Sequence, residues 1–203
     1  MIIAHKNRFI FVKSRKTAGS SIQHALATFC EPEDVISGSG FSRNIDQIGD
    51  KNRAHVEAEE IRCLLGAEVW ESYYKFCFIR NPWDLTISRF FWDIKKMRTQ
   101  EVDFNRWLKS KKISQLEIDT LTPYTHIKGK LAVDFVGRYE HLSEDFARLC
   151  NKLELPLPEL PHQKARHVAK QHYSQYYNDE SIEIVRKLHG EAIDYFGYSF
   201  ETA

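Results

Sequence analysis

Apolar positions along the chain gather into a few short unbroken runs, separated by stretches with helical spacing. "RFIFV" predicts a first strand over residues 8–12. Ile22, Leu26 and Phe29 then recur at i, i+4 and i+7, which predicts a helix over residues 19–29. "VEAEEIRCLLG" is an amphipathic helix closed by Gly66. In "YKFCFIR" the continuous run from Phe76 to Ile79 suits a parallel strand covered on both faces. Asn81-Pro82 supplies an N-cap and a proline at the first helical position, so "WDLTISRFFWDIKKM" continues as a helix. "VDFVGRY" predicts a third strand. "LSEDFARLCNKL" predicts a helix with Ser143 and its acidic neighbours at the start, and a last helix covers residues 179–195. Strands alternating with helices predict a single α/β domain over residues 1–203, with a central, mainly parallel sheet flanked by helices. Trp83, Phe90, Phe91 and Trp92 are mostly core by their helical spacing, with stacking of one ring on a planar or sugar ligand as the alternative.

Residues 31–54, rich in Gly, Ser, Asn and Asp, form a long loop whose length points to function rather than mere connection. The charge balance is 29 basic against 28 acidic residues, a formal +1, so no global field directs the chain to nucleic acid or an anionic membrane. Any anion site must be local. The two-residue apolar start is no signal peptide and no run has transmembrane length, which predicts a cytoplasmic protein without a membrane anchor. Four scattered cysteines without a C-x-x-C pair read as reduced thiols.

The candidate chemistry begins directly after the first strand, in "KSRKTAGSSIQ". A strand, a glycine-containing turn and a helix start aim backbone N–H groups and the positive end of a helix dipole at one point. Lys16 adds a mobile charge, Thr17, Ser20 and Ser21 add hydroxyls, and Gly19 lets the backbone approach a ligand; the competing reading is that Ser20 and Ser21 merely cap the helix and the lysines are solvated. Lys13, closer to the strand, is a second candidate for the loop's charge or else leaves the sheet into solvent. The order of a standard phosphate loop, G-x-x-x-x-G-K-[ST], is absent, because the lysine precedes the glycine. In "FCFIRNPWDLTISRFF", Arg80 stands at the carboxyl end of a buried strand, where open α/β sheets place ligands. It suits bidentate contact with a phosphate, or an ion pair with Asp84 across the turn. Ser88, about two helical turns beyond Asn81, shares the face of the helix start.

"KTAGSSI" followed by "RNPWDLTISRFFW" resembles the pair of cofactor loops in the sulfotransferases that use 3′-phosphoadenosine 5′-phosphosulfate (PAPS), nearest the carbohydrate-type and bacterial branch. The resemblance continues through "AHVEAEEIRCLLG", "VDFVGRYEHLSEDFARLC" and "YFGYSF". It implies a P-loop-like architecture and PAPS as donor, with 3′,5′-ADP as product. It also implies that Lys16, Thr17, Ala18, Gly19, Ser20 and Ser21 hold the 5′-phosphosulfate, while Arg80 and Ser88 hold the 3′-phosphate. Arg15 stands where many relatives carry proline, and Ser20 replaces a common threonine. A hydroxyl acceptor, with carbohydrates as one class, is implied in turn.

Sulfuryl transfer needs no metal, and no metal-ligand spacing such as H-E-x-x-H occurs. Lys16 is the candidate for neutralising charge on the leaving oxygen. His55, at the end of the long loop where polysaccharide-type relatives place a catalytic histidine, is the candidate general base, or else a cap of the following helix. Glu57 and Glu59 are nearby alternatives. Arg138 ends the third strand and can contact the cofactor or pair with Glu140. His162, His167 and His172 recur every five residues, which does not align them on one helix face, so with Lys164 and Arg166 they read as a mobile basic loop. Two other readings stay open. One is a nucleotide or small-molecule kinase with an atypical loop, for which Asp134 is the candidate Mg²⁺ ligand; the other is a non-catalytic nucleotide-binding protein. Residues 31–54 and 97–130 carry no acceptor motif, Lys109, Lys111, Lys112, Lys128 and Lys130 fit either an anionic acceptor or a solvated face, and no pattern sets an oligomeric state.

Overall fold

The computed structural model describes residues 1–38, 42–48, 53–97, 102–111, 120–161 and 171–202. In chain order the first elements are β1 (Ile2–Ala4), β2 (Phe9–Val12), α1 (Gly19–Ala27) and β3 (Val35–Ile36). After a 3₁₀ turn at Ile45–Ile48 come α2 (Ala58–Leu65), α3 (Ala67–Ser72), β4 (Tyr74–Ile79), α4 (Pro82–Met97) and α5 (Phe104–Ser110). The chain continues with α6 (Thr122–Thr125), β5 (His126–Ile127), β6 (Lys130–Leu131), β7 (Phe135–Arg138), α7 (Leu142–Lys152), α8 (Asp179–Leu188) and α9 (Gly190–Phe196). Two compact units emerge from the contacts: Met1–Ile79 with Pro123–Gln163, and Arg80–Thr122 with Lys164–Ala203.

The first unit holds a five-stranded sheet of order β3-β1-β2-β4-β7. β2, β4 and β7 run parallel, with Val12 opposite Cys77 and Ile79 opposite Arg138. β1 is antiparallel to both β2 and β3. The sheet is therefore mixed, not mainly parallel. The difference lies in β1 and β3, whose two or three apolar residues are too short to stand out by pattern. Along β2 the side chains alternate as a strand requires. Phe9 and Phe11 pack with Ile22, Leu26, Phe146 and Leu149, while Ile10 and Val12 pack with Ile61, Trp70 and Cys77. Burial on both faces explains the unbroken apolar run.

Gly66 closes α2 at φ 80°, and α3 starts directly after it. Asp145 does not cap α7. Its carboxylate, 7% exposed, accepts the Arg138 N–H at 2.8 Å and so fastens the end of β7 to the helix. Asp134 likewise accepts the Lys75 N–H at 2.8 Å and pairs with the Lys75 ammonium at 2.9 Å. Lys128 and Gly129, both at positive φ, turn the β5–β6 hairpin inside a segment that reads as featureless by sequence. All four thiols are free. Cys77 and Cys150 are buried, Cys30 is half-buried and Cys63, on α2, is exposed. Burial pushes the Cys30 and Cys77 thiols up to about 12 and raises that of Cys150.

In the second unit Asn81 starts α4 as expected, its side-chain oxygen accepting the Trp83 N–H at 3.1 Å. Trp83 is fully buried, donates to the Ile182 carbonyl at 3.1 Å and packs edge-on against Phe200. Trp92 is not core: it is 46% exposed, with the Arg89 and Lys96 cations over its ring. The helix expected over residues 179–195 is two helices, broken where His189-Gly190 interrupts the good helix formers. Lys109 and Lys111 pair with Glu180 at 2.6 Å and Asp93 at 2.9 Å, which accounts for two of the cations in residues 97–130. Among the described residues, no helix is long and apolar enough to cross a membrane.

Candidate functional site

The carboxyl ends of β2, β4 and β7 reach the same edge of the sheet, and the chain leaves β2 there as Lys13–Ser20. Lys16 and Ala18 both adopt φ 59°, the left-handed region that side chains rarely enter. Each such residue costs about 1 kcal/mol or more, and strain of this kind collects at ligand sites. Ala18 is the N-cap of α1, and its carbonyl accepts the Ser21 and Ile22 N–H groups at 2.9 and 3.2 Å. No acidic residue stands in the first turn of α1, so its positive end is not offset from within the helix. Lys16, Ala18, Ser20 and Ser21 are half-buried around this start.

Two expected roles change. Thr17 is 1% exposed, and its hydroxyl bonds that of Ser14 at 2.8 Å. Ser14 in turn donates to the Phe78 carbonyl at 2.5 Å, so the Thr17 hydroxyl fastens the loop to β4 instead of facing a ligand. Lys13 does not run into solvent. It is 2% exposed and its ammonium donates to the Gln23 side-chain oxygen at 2.5 Å. That also supplies the reason for Gly19: a Cβ there would stand 2.8 Å from the Lys13 Cγ. The glycine makes room for the lysine stem beneath it.

His55 is half-buried and its Nδ1 lies 2.9 Å from the Lys13 carbonyl. A peptide carbonyl only accepts, so Nδ1 carries the proton and Nε2 keeps its lone pair. The ring does not cap α2, whose N-cap is Glu57 and receives no side-chain bond. Burial lowers the His55 pKa to about 3, opposed by the bond to the Lys13 carbonyl and assisted by the charges of Arg15 and Lys13. Imidazole is thus neutral at any ordinary pH. Glu57 is exposed, and Glu59 lies 3.8 Å from Arg62.

In the second unit, Arg80 pairs with Asp84 through Nε at 2.7 Å, both side chains largely buried. The ion pair is therefore present, and it holds the guanidinium in place at the start of α4. Ser88 is half-buried one turn beyond Asp84. Arg138, in the first unit, is half-buried, with its backbone anchored by Asp145. His172 starts a short 3₁₀ helix and accepts from the Ser174 N–H. His162, Lys164, Arg166 and His167 lie outside the described residues. The Lys13–Gln23 pair and the Ser14–Thr17 link are absent from the sequence expectations. A lysine at a strand end reads as solvated until its burial is seen.

The comparisons with known proteins bear on what this arrangement does. A family model described as "Sulfotransferase family" matches residues 1–199. An uncharacterized protein of Archaeoglobus fulgidus is 34% identical over 101 residues, which cover 47% of this chain and 80% of that protein. No solved structure matches significantly.

Proposed function

The chain belongs to the sulfotransferase family, and from that premise we propose that it moves a sulfuryl group from PAPS to a hydroxyl acceptor, with carbohydrates as one class. The observation that carries this reading is the junction of β2 and α1: two strained residues, a helix start without an acid in its first turn, and a neutral histidine bonded to the same segment. The donor set fits a phosphosulfate. Lys16 brings a cation, Ser20 and Ser21 bring hydroxyls, and the amides that open α1 are donors of the kind that bind phosphate. Arg80, fixed by Asp84, and Ser88 are the proposed holders of the 3′-phosphate. Arg138 is proposed as a further contact to the nucleotide.

When bound, PAPS supplies a sulfuryl group attached to a phosphate that can leave. Lys16 would hold the negative charge of the leaving phosphate, and one such donor is worth on the order of 10²–10³ in rate. His55 Nε2 takes the proton of the acceptor hydroxyl, while the Lys13 carbonyl keeps Nδ1–H in place. The kinase alternative loses ground because Asp134, its candidate Mg²⁺ ligand, is bonded to Lys75.

Thermal unfolding with 3′,5′-ADP, 5′-ADP or ATP and Mg²⁺ tests the donor. At a hundredfold excess over Kd a ligand stabilises by about 2.7 kcal/mol. Stabilisation by 3′,5′-ADP that 5′-ADP does not match, and that Arg80→Ala abolishes, is the expected outcome. A preference for ATP, or indifference to the 3′-phosphate, would sink the reading.

A further inference from the structure

The strained turn after β2 is held by a chain of hydroxyls that runs one way. The last β2–β4 pair sets Val12 opposite Cys77. One residue past it, the Phe78 carbonyl of β4 receives the Ser14 hydroxyl at 2.5 Å. A carbonyl only accepts, so the single Ser14 proton is committed there, and the Ser14 oxygen accepts from the Thr17 hydroxyl at 2.8 Å. Thr17 thus donates to Ser14, and Ser14 donates to the sheet. Both residues are 1% exposed, so water does not compete for either bond. Thr17 also stands between Lys16 and Ala18, the two residues at φ 59°. Strained residues of that kind persist only where their surroundings fix them. Replacing two buried hydrogen-bond partners with apolar groups of the same shape is nearly neutral for stability. What this pair of hydroxyls adds is therefore direction: it places the turn.

We propose that Ser14 and Thr17 are positioning residues of the anion site: their relay sets the Lys16–Ala18 turn in its binding shape before the ligand arrives, so that the amides opening α1 receive the 5′-phosphosulfate without rearrangement. The inference rests on the reading of this loop as a phosphosulfate site and deepens it. Neither hydroxyl touches the ligand. Without the relay the turn relaxes toward unstrained backbone, and binding has to supply the ordering that folding now supplies. The apparent affinity then falls with the fraction of molecules whose turn is in the competent shape.

Three variants test this. Thr17→Val keeps the shape and removes the donor, Thr17→Ser keeps the donor, and Ser14→Ala removes the middle of the relay. Binding of inorganic pyrophosphate and of 3′,5′-ADP is measured calorimetrically, well below each variant's melting temperature, with amide hydrogen exchange on the unliganded proteins. Thr17→Val and Ser14→Ala should bind both anions about tenfold more weakly, the equivalent of one net hydrogen bond, and Thr17→Ser should stay within about twofold of wild type. Exchange should quicken at residues 16–20 and stay unchanged in β4. A purely structural role would instead quicken exchange throughout β2 and β4 and leave anion affinity alone. Either Thr17→Val or Ser14→Ala suffices if the other does not fold. If the variant binds pyrophosphate as tightly as wild type, or if Thr17→Ser binds it as weakly as Thr17→Val, the inference is overturned while the loop keeps its assignment. A wild type that binds no pyrophosphate at millimolar concentration overturns both. If pyrophosphate binding depends on the relay as expected but 3′,5′-ADP binds no better than pyrophosphate, the inference stands and the PAPS reading fails.

Discussion

His55 is the residue whose chemistry depends most on its surroundings. Burial and the neighbouring Arg15 and Lys13 charges hold its pKa at about 3, against about 6.5 for a free imidazole. Apart from burial, the causes that lower it are positive charges, those of Arg15, Lys13 and the N-terminal amine, and an anion in the loop offsets them. The pKa should therefore rise when pyrophosphate binds, which ring-nitrogen NMR shifts would follow directly. A pKa that falls or stays fixed on anion binding would separate His55 from the loop. For catalysis, His55→Gln should lower kcat by roughly 10²–10⁴ with little change in 3′,5′-ADP affinity. The acid limb of the wild-type profile should not show a histidine titrating near 6.5, because the folded pKa lies far below that value.

Among the elements, β4 and β7 set the edge from which the site is built. Gly137 of β7 stands opposite Phe78 of β4, and the Phe78 ring occupies the space where a Cβ would be. Gly137→Ala should thus destabilise by about 1–3 kcal/mol through overpacking. Urea unfolding should show a lower midpoint at unchanged slope. The elements legible in the sequence are those with strong patterns: β2, β4, β7, α1, α2, α4 and α7. β1 and β3 were missed because "II" and "VI" are too short for a period, and their strand character comes from pairing with each other and with β2. α3 was hidden behind Gly66, and the break at His189 behind a continuous helical pattern. Of the proposed site, the loop and Arg80 stand out in the sequence because residue types and order carry them. The roles of Lys13, Thr17 and Gly19 do not, since each depends on what lies beneath the loop after folding.

At the scale of the whole chain, a formal charge of +1 offers little long-range attraction for a polyanionic nucleotide. Donor affinity must come from short-range groups, so it should fall with salt far less than for a broadly basic protein. The thiols also divide by depth. All four lie in the unit that carries the loop and His55, and only Cys63 is exposed. A colorimetric disulfide reagent should therefore consume one equivalent quickly from the native protein. Cys30, half-buried and with its thiol pushed up to about 12, should follow more slowly, and Cys77 and Cys150 should react only as fast as β4 and α7 open. More than two rapid equivalents would mean that β4 or α7 opens on the timescale of the assay. The slow phase makes the sulfur atoms a built-in clock for breathing of the half that bears the loop, while the other half stays silent. Slowing of that clock by 3′,5′-ADP would report donor binding without any label.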